Sequence, residues 1–245
     1  MAKPRLDLLL FERGLVESRE LGQRLIRAGK VRVNGQVASK PGQSVAEDVE
    51  LTVQEPERFV SRGGYKLLGA LETFPITLTD RVCLDVGSST GGFTDCMLQF
   101  GARKVFAVDV GLGQLNWRLR NDDRVVVMEQ KNARYLTPEE LDEVPGFASC
   151  DASFISLTKL LPAMTQVLAP GGEMLTLIKP QFEAGREKVG KGGVVRDPQV
   201  HQEVIASVRA FGENTLGLTW NDVVTSPLKG PKGNVEFLAW WKKPA

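Results

Sequence analysis

The chain has 245 residues, 42% hydrophobic and 25% charged, with 31 Lys or Arg against 30 Asp or Glu. That composition belongs to one large folded domain, or one domain plus a small module, and excludes a disordered or fibrous chain. No apolar run nears the roughly 20 residues that span a bilayer. Leu8-Leu9-Leu10-Phe11 meets Glu12 and Arg13 too soon for a secretory signal. Cys83, Cys96 and Cys150 lack Cys-x-x-Cys spacing, which predicts reduced thiols, no metal site and a cytoplasmic protein.

Charge is uneven along the chain. Residues 1–45 carry nine Lys or Arg against four acids, a net +5 that the rest offsets with −4. A basic start on a mildly acidic body suggests a module for a polyanion. Leu6, Leu9 and Leu10 share a helical face that Gly14 closes, and Ser18 caps a second helix with Leu21, Leu25 and Ala28 on one face. Val31 and Val33 alternate into Asn34-Gly35, a strong hairpin signal, and Val49, Leu51 and Val53 alternate as a last strand. Arg19, Arg24, Arg27, Lys30 and Arg32 cluster with few acids between them, which favours nucleic acid over an ordinary solvated helix face.

Arg5-Leu6-Asp7-x-x-Leu10, Gly14-Leu15-x-x-Ser18-Arg19 and Leu25-Ile26-x-x-Gly29-x-Val31-x-Val33-Asn34-Gly35 resemble the RNA-binding domain named after ribosomal protein S-four. The resemblance spans about residues 3–53 and adds Arg5 and Asn34 to the RNA-binding set. Small rigid basic surfaces suit structured RNA, which is read by shape, phosphates and hydroxyls. This module is set at residues 1–57, with a linker at 58–62 inside the polar, Pro-containing stretch 54–62.

Residues 63–245 read as a second domain. A helix carries Leu67, Leu68 and Leu71, and an apolar run at 82–86 then enters a loop of Gly, Ser and Thr. Further strands at 104–108, 124–128, 147–150 and 174–178 alternate with helices, the last helix at 198–211. Repeated βα units predict a doubly wound, mostly parallel α/β sheet. Late strands at 222–225 and 235–240 around Lys229-Gly230-Pro231-Lys232-Gly233 predict an antiparallel edge, for seven strands in a Rossmann-like sheet.

The loop Asp85-Val86-Gly87-Ser88-Ser89-Thr90-Gly91-Gly92-Phe93 fits neither a phosphate cradle nor the dinucleotide fingerprint. An acid and a glycine loop without a phosphate lysine suit a cationic ligand bearing hydroxyls, and S-adenosylmethionine answers that description. The cofactor set is therefore Asp85, Gly87, Ser88, Ser89, Thr90, Gly91, Gly92 and Phe93. Asp109 and Val110 join it at the next strand tip, where an acid takes ribose hydroxyls, with Asn132 and Asp151 after the following strands.

The segments around Lys66, Asp151-Ala152-Ser153-Phe154, Lys179-Pro180-Gln181-Phe182-Glu183 and Gly233-Asn234-Val235-Glu236 resemble the Lys-Asp-Lys-Glu tetrad of heat-shock-type (FtsJ-like) ribose 2′-O-methyltransferases. With the basic module, the whole chain resembles the TlyA (haemolysin A) family of rRNA methyltransferases. One departure is Arg58-Phe59-Val60, where some members carry Arg-x-Trp-Val. The resemblance implies S-adenosylmethionine as cofactor and ribosomal RNA or ribosomal subunits as partner, without DNA or membrane, and sets no oligomeric state. It makes Lys179 the base for a ribose hydroxyl, Lys66 the neighbouring charge that lowers its pKa, and Asp151 and Glu236 the groups that orient the pair.

Two features invite other assignments. Residues 185–192 nearly spell a phosphate loop, yet Gly192 replaces the needed hydroxyl, so 185–196 reads as a mobile basic loop near the RNA entrance. His201, the single histidine, reads as a surface residue. Two other classes remain open: an assembly factor with an inactive methyltransferase domain, and a membrane-active haemolysin.

Overall fold

A computed structural model describes residues 3–54 and 57–245, so Glu55 and Pro56 of the expected 54–62 stretch lie outside the described residues. The chain forms two compact units, Met1–Arg58 and Phe59–Ala245.

In the first unit, α1 (Leu6–Glu12) and α2 (Arg19–Arg27) pack on a sheet of β1 (Val31–Val33), β2 (Gln36–Val37) and β3 (Leu51–Val53). The strand order is β2-β1-β3, antiparallel throughout. Ser18 caps α2, its hydroxyl accepting the Leu21 N–H at 3.1 Å. Asn34 and Gly35 sit at φ 48° and 77°, the left-handed pair that a type I′ hairpin needs. The α2 seam differs from expectation: Ala28 faces solvent, and Ile26 with Gly22 faces the core. Positions 22 and 26 are one helical turn apart, a period that outweighs the smaller Ala28. Asp7 is fully buried and accepts from Arg5, Arg19 and Gln23.

The second unit contains α3 (Gly63–Thr73), β4 (Val82–Val86), α4 (Gly92–Gln99), β5 (Lys104–Val108), α5 (Trp117–Arg120), β6 (Val125–Met128) and β7 (Phe147–Cys150). It continues with α6 (Leu161–Val167), β8 (Glu173–Ile178), α7 (Pro180–Glu183), α8 (Pro198–Leu216), β9 (Thr219–Thr225) and β10 (Phe237–Lys242). One seven-stranded sheet runs β6-β5-β4-β7-β8-β10-β9. The first five strands are parallel, and β10 lies antiparallel to both β8 and β9. The chain winds outward from β4 to β6, then returns to β7, so the winding reverses between β4 and β7. Such a reversal opens a crevice at the carboxyl ends of the strands.

Alternation along each strand sends residues to two cores. Leu84, Val86 and Phe106 meet α6 and α8 on one face, while Cys83, Val105 and Ala107 meet α3 and α4 on the other. Phe59 to Arg62, expected in a linker, belong to the second unit. Phe59 is buried against α3, edge-on to Tyr65 at 5.1 Å, and the Val60 N–H bonds Asp95 of α4 at 2.8 Å. An aromatic side chain packed in a core outweighs the polar, Pro-containing character of the surrounding stretch.

Candidate active site

Six chain segments converge at the carboxyl edge of the sheet. Gly87 follows β4, Asp109 follows β5, Asp151 follows β7 and Lys179 follows β8. Glu236 immediately precedes β10, whose antiparallel register sets Phe237 against Ile178 and so returns the acid to the same edge. Lys66 comes from the first turn of α3. The N-termini of α3 and α4 abut so closely that a Cβ on Gly92 would stand 2.7 Å from the Gly64 nitrogen.

The four residues of the tetrad meet in one cluster. Lys66 Nζ donates to Glu236 Oε2 at 2.7 Å and lies 3.6 Å from Asp151 Oδ2. Lys179 Nζ pairs with Asp151 Oδ1 at 2.6 Å and donates to the Ser153 hydroxyl at 2.9 Å. Asp151 thus holds one lysine on each oxygen. Lys179 is 6% exposed and Glu236 1% exposed, so this charged set is held in the protein and not in solvent. Groups this buried persist only when paired.

The cluster lines a cleft of about 600 Å³, which also takes in Gly87, Ser88, Ser89, Gly92 and Phe93. That volume is in the range of small-molecule sites. Gly87 adopts φ 79°, and a Cβ there would strike the Ala152 backbone at 2.9 Å, so only glycine lets the β4 loop lie flat against the β7 loop. Ser89 is held at φ 50° with its N–H on Asp109 Oδ2 at 2.8 Å, and Gly111 N–H bonds Oδ1 at 2.7 Å. Phe154 is 90% exposed in a left-handed conformation (φ 65°), its ring 5.1 Å from that of Phe182.

A family model described as FtsJ-like methyltransferase matches residues 59–243, and one described as S4 domain matches residues 4–51. The chain belongs to the FtsJ-like methyltransferase family. The Mycobacterium tuberculosis protein named 16S/23S rRNA (cytidine-2′-O)-methyltransferase TlyA is 48% identical over 242 residues, 97% of this chain and 89% of that one. Hemolysin A of Brachyspira hyodysenteriae is 42% identical over 240 residues, 96% of this chain and 98% of that one. A solved Streptococcus thermophilus structure, described as a candidate hemolysin, is 47% identical, covers 100% of this chain and 90% of its own, and has a TM-score of 0.76. Among the described residues, no helix is long and apolar enough to cross a membrane.

Within this FtsJ-like domain, several expected positions behave differently. Asp85 does not face the crevice. Strand alternation turns it toward α4, and its oxygens accept the Thr94 hydroxyl of that helix at 2.6 Å and the Ser149 hydroxyl of neighbouring β7 at 3.0 Å. Burial pushes its carboxyl up to about 6, against the lowering effect of those two hydroxyls. Thr90 and Gly91 shape the loop without lining the cleft: the Thr90 carbonyl accepts the Asn116 N–H, and Gly91 packs on Leu119. Asp109, Val110 and Asn132 also lie outside the cleft lining. Asp109 joins the cleft through Ser89, Val110 is exposed, and Asn132 caps a 3₁₀ turn by accepting the Arg134 N–H at 3.2 Å.

His201 is buried, 8% exposed, with Nε2 3.0 Å from the Val195 carbonyl and its ring against Phe237. It shares the α8 stripe of Val204, Ile205 and Val208, a helical period that its polar neighbours obscured. Residues 185–196, expected as a mobile loop, carry a 3₁₀ turn at Arg186–Lys188 and a Gly190–Val194 bridge. Two residues of the tetrad segments have supporting roles that the sequence did not assign. Glu183 accepts the Ser156 hydroxyl at 2.6 Å and the Leu157 N–H at 2.8 Å, joining the loops after β7 and β8. Asn234, buried, accepts the Val195 N–H at 3.0 Å and donates to the Gly193 carbonyl at 2.9 Å. Each belongs to a motif segment that carries a tetrad member, which is the sequence signal that pointed to them.

In the S4 unit, Arg24, Arg27 and Arg32 are exposed. Lys30 reaches Gln54 at 3.3 Å, and the Asn34 side chain accepts the Glu50 N–H at 3.1 Å. Arg5 and Arg19 direct their guanidinium groups to Asp7, each at 3.0 Å.

Proposed function

We propose that the chain transfers the methyl group of S-adenosylmethionine to a ribose 2′-hydroxyl of ribosomal RNA in the cytoplasm. The observation that carries this reading is the Lys66–Asp151–Lys179–Glu236 cluster in one cleft beside the Gly87–Phe93 loop. The residues present fit the cofactor. Gly87, Ser88, Ser89, Gly92 and Phe93 would line its place in the cleft, and the Asp109 carboxylate keeps acceptor capacity for hydroxyls beside Ser89. When bound, S-adenosylmethionine supplies an electrophilic methyl on a sulfonium.

The chain's own residues do the rest. A ribose hydroxyl is a very weak acid, so its proton must leave as the oxygen attacks, and the role we assign to Lys179 Nζ, as the neutral amine, is to take it. Asp151 and Ser153 fix that amine at two points. Lys66, tied to Glu236, sets a second cation on the other Asp151 oxygen and fixes where the carboxylate stands. Alignment supplies the remainder, because transfer in line with a leaving sulfur needs positioning above all. Phe154 and Phe182 form an aromatic wall suited to a nucleoside. The exposed arginines of the S4 unit supply RNA affinity.

The test is mass spectrometry of rRNA nucleosides after incubation with methyl-labelled cofactor. Label on a 2′-O-methylnucleoside, absent with Lys179→Ala, is the expected result. Label found only on bases, or none, overturns the reading.

A further inference from the structure

Beside the cleft lies a second groove of about 410 Å³, lined by Val195, Arg196, His201, Lys229 and Lys232 among others. Lys229 and Lys232 line both the groove and the tetrad cleft, so the two are continuous across them. Among the described residues, no acid lines the groove. Arg196, Lys229 and Lys232 have no ion-pair partner among the described residues. Several cations elsewhere on this unit are paired, as Arg103 is with Glu143, Lys104 with Asp142 and Lys188 with Glu203, while others such as Arg118 and Lys159 are not. What sets these three apart is that they line one groove continuous with the tetrad cleft.

The groove is also built. Both polar groups of the Val195 peptide are pinned by side chains, the N–H by Asn234 at 3.0 Å and the carbonyl by His201 at 3.0 Å. Asn234 holds Gly193 as well, and Gly193 lies close under Lys232, whose Nζ stands 3.5 Å from where a Cβ would be. The wall that carries Arg196 is therefore fixed to the segment leading into Glu236. Three uncompensated cations on a fixed frame next to a nucleotide-sized cleft fit an anion attached to whatever occupies that cleft.

We propose that this groove binds the phosphodiester backbone of the RNA strand next to the target nucleotide, through Arg196, Lys229 and Lys232. The inference rests on the proposed RNA 2′-O-methylation. Cations meeting phosphates release counterions, so each phosphate held adds to the salt dependence of binding. The groove would thereby set how the strand enters, while the tetrad acts on the ribose.

The experiment uses the full chain and rRNA from a strain lacking this enzyme. Binding is measured from 50 to 300 mM salt for the wild type and for Arg196→Ala/Lys229→Ala/Lys232→Ala. The triple variant should bind rRNA about tenfold or more weakly at 150 mM salt, with the log–log salt slope reduced by about 1–2. Its S-adenosylmethionine affinity and melting temperature should match the wild type. Lys229→Arg/Lys232→Arg should retain the wild-type slope. An unchanged slope and affinity in the triple variant, or a loss that the arginine pair shares, overturns the groove. A wild type that binds rRNA yet places no methyl on ribose overturns the activity instead, so the two failures are told apart.

Discussion

Lys66 and Glu236, 170 residues apart in the chain, meet at 2.7 Å with the acid almost wholly buried. Removing one partner strands the other charge, whereas removing both charges leaves a neutral pair of similar shape. Lys66→Met should therefore lower stability by about 2–4 kcal/mol, and Lys66→Met/Glu236→Gln should recover much of that loss. Methyl transfer should stay low in both. Differential scanning fluorimetry alongside a labelled-methyl assay checks this, and recovered activity in the double variant would remove the pair from the chemistry.

Lys179→Ala should leave both binding steps nearly intact, because a base acts in the transition state. The rate should fall by roughly 10²–10⁴. Lys179→Arg should fare little better, since guanidinium stays protonated. Single-turnover rates at saturating cofactor decide it. Near wild-type turnover in Lys179→Arg would leave Lys179 a positioning charge.

Asp109→Ala should weaken S-adenosylmethionine binding by about 1–3 kcal/mol through a lost hydroxyl partner. The same change frees the N–H groups of Ser89 and Gly111, so the loop loses its anchor as well. Titration calorimetry with unchanged affinity would take Asp109 out of the site.

Asp85 gives a pH signature. Its folded pKa of about 6 stands above an ordinary carboxyl value, so the folded state holds a proton that the unfolded chain has lost between about pH 4 and 6. Its contribution to stability therefore falls as pH rises through that window, by about 3 kcal/mol, and stays low above it. Asp85→Asn lacks this loss. The melting-temperature gap in favour of the variant should widen from pH 4 to 6 and then hold constant. A gap independent of pH would show that Asp85 is ionised throughout.

Asp7 should work in the opposite sense. Arg5, then Gln23 and Arg19, hold its carboxyl well below the usual range despite burial, so it stabilises the S4 unit above about pH 4 and loses that effect as pH falls. Asp7→Ala should cost about 2–3 kcal/mol and free two arginines from their anchor. Affinity for rRNA should drop while calorimetry with S-adenosylmethionine stays unchanged. Equal loss of both would mean that the two units fail together.

Strand ends were legible from sequence because apolar runs stop where the crevice begins: Asp109, Asp151 and Lys179 each follow such a run, and all three stand at the carboxyl edge. Hairpin and cap signals at Asn34-Gly35 and Ser18 were equally local and equally readable. What depends on the third dimension was not. Whether Asp85 turns to the crevice or to α4 depends on strand register, and whether His201 is wet depends on which α8 face is covered. Phe59 looked like linker because the partner that makes it core, Tyr65, lies beyond two glycines of the next helix.

The order of synthesis adds a consequence. β10 is made after β8 and β9, yet it occupies the slot between them and delivers Glu236 to Lys66 only once it is threaded there. While a ribosome is still producing this chain, β8 and β9 have no partner between them, and Lys66 has no carboxylate from that side. The basic first unit is already outside by then, able to touch RNA before any chemistry can follow. A stop codon just ahead of Phe237 should yield a chain with two open strand edges, prone to pair with its own copies and to precipitate. Completing the sheet and completing the Lys66–Glu236 pair are thus one and the same folding step.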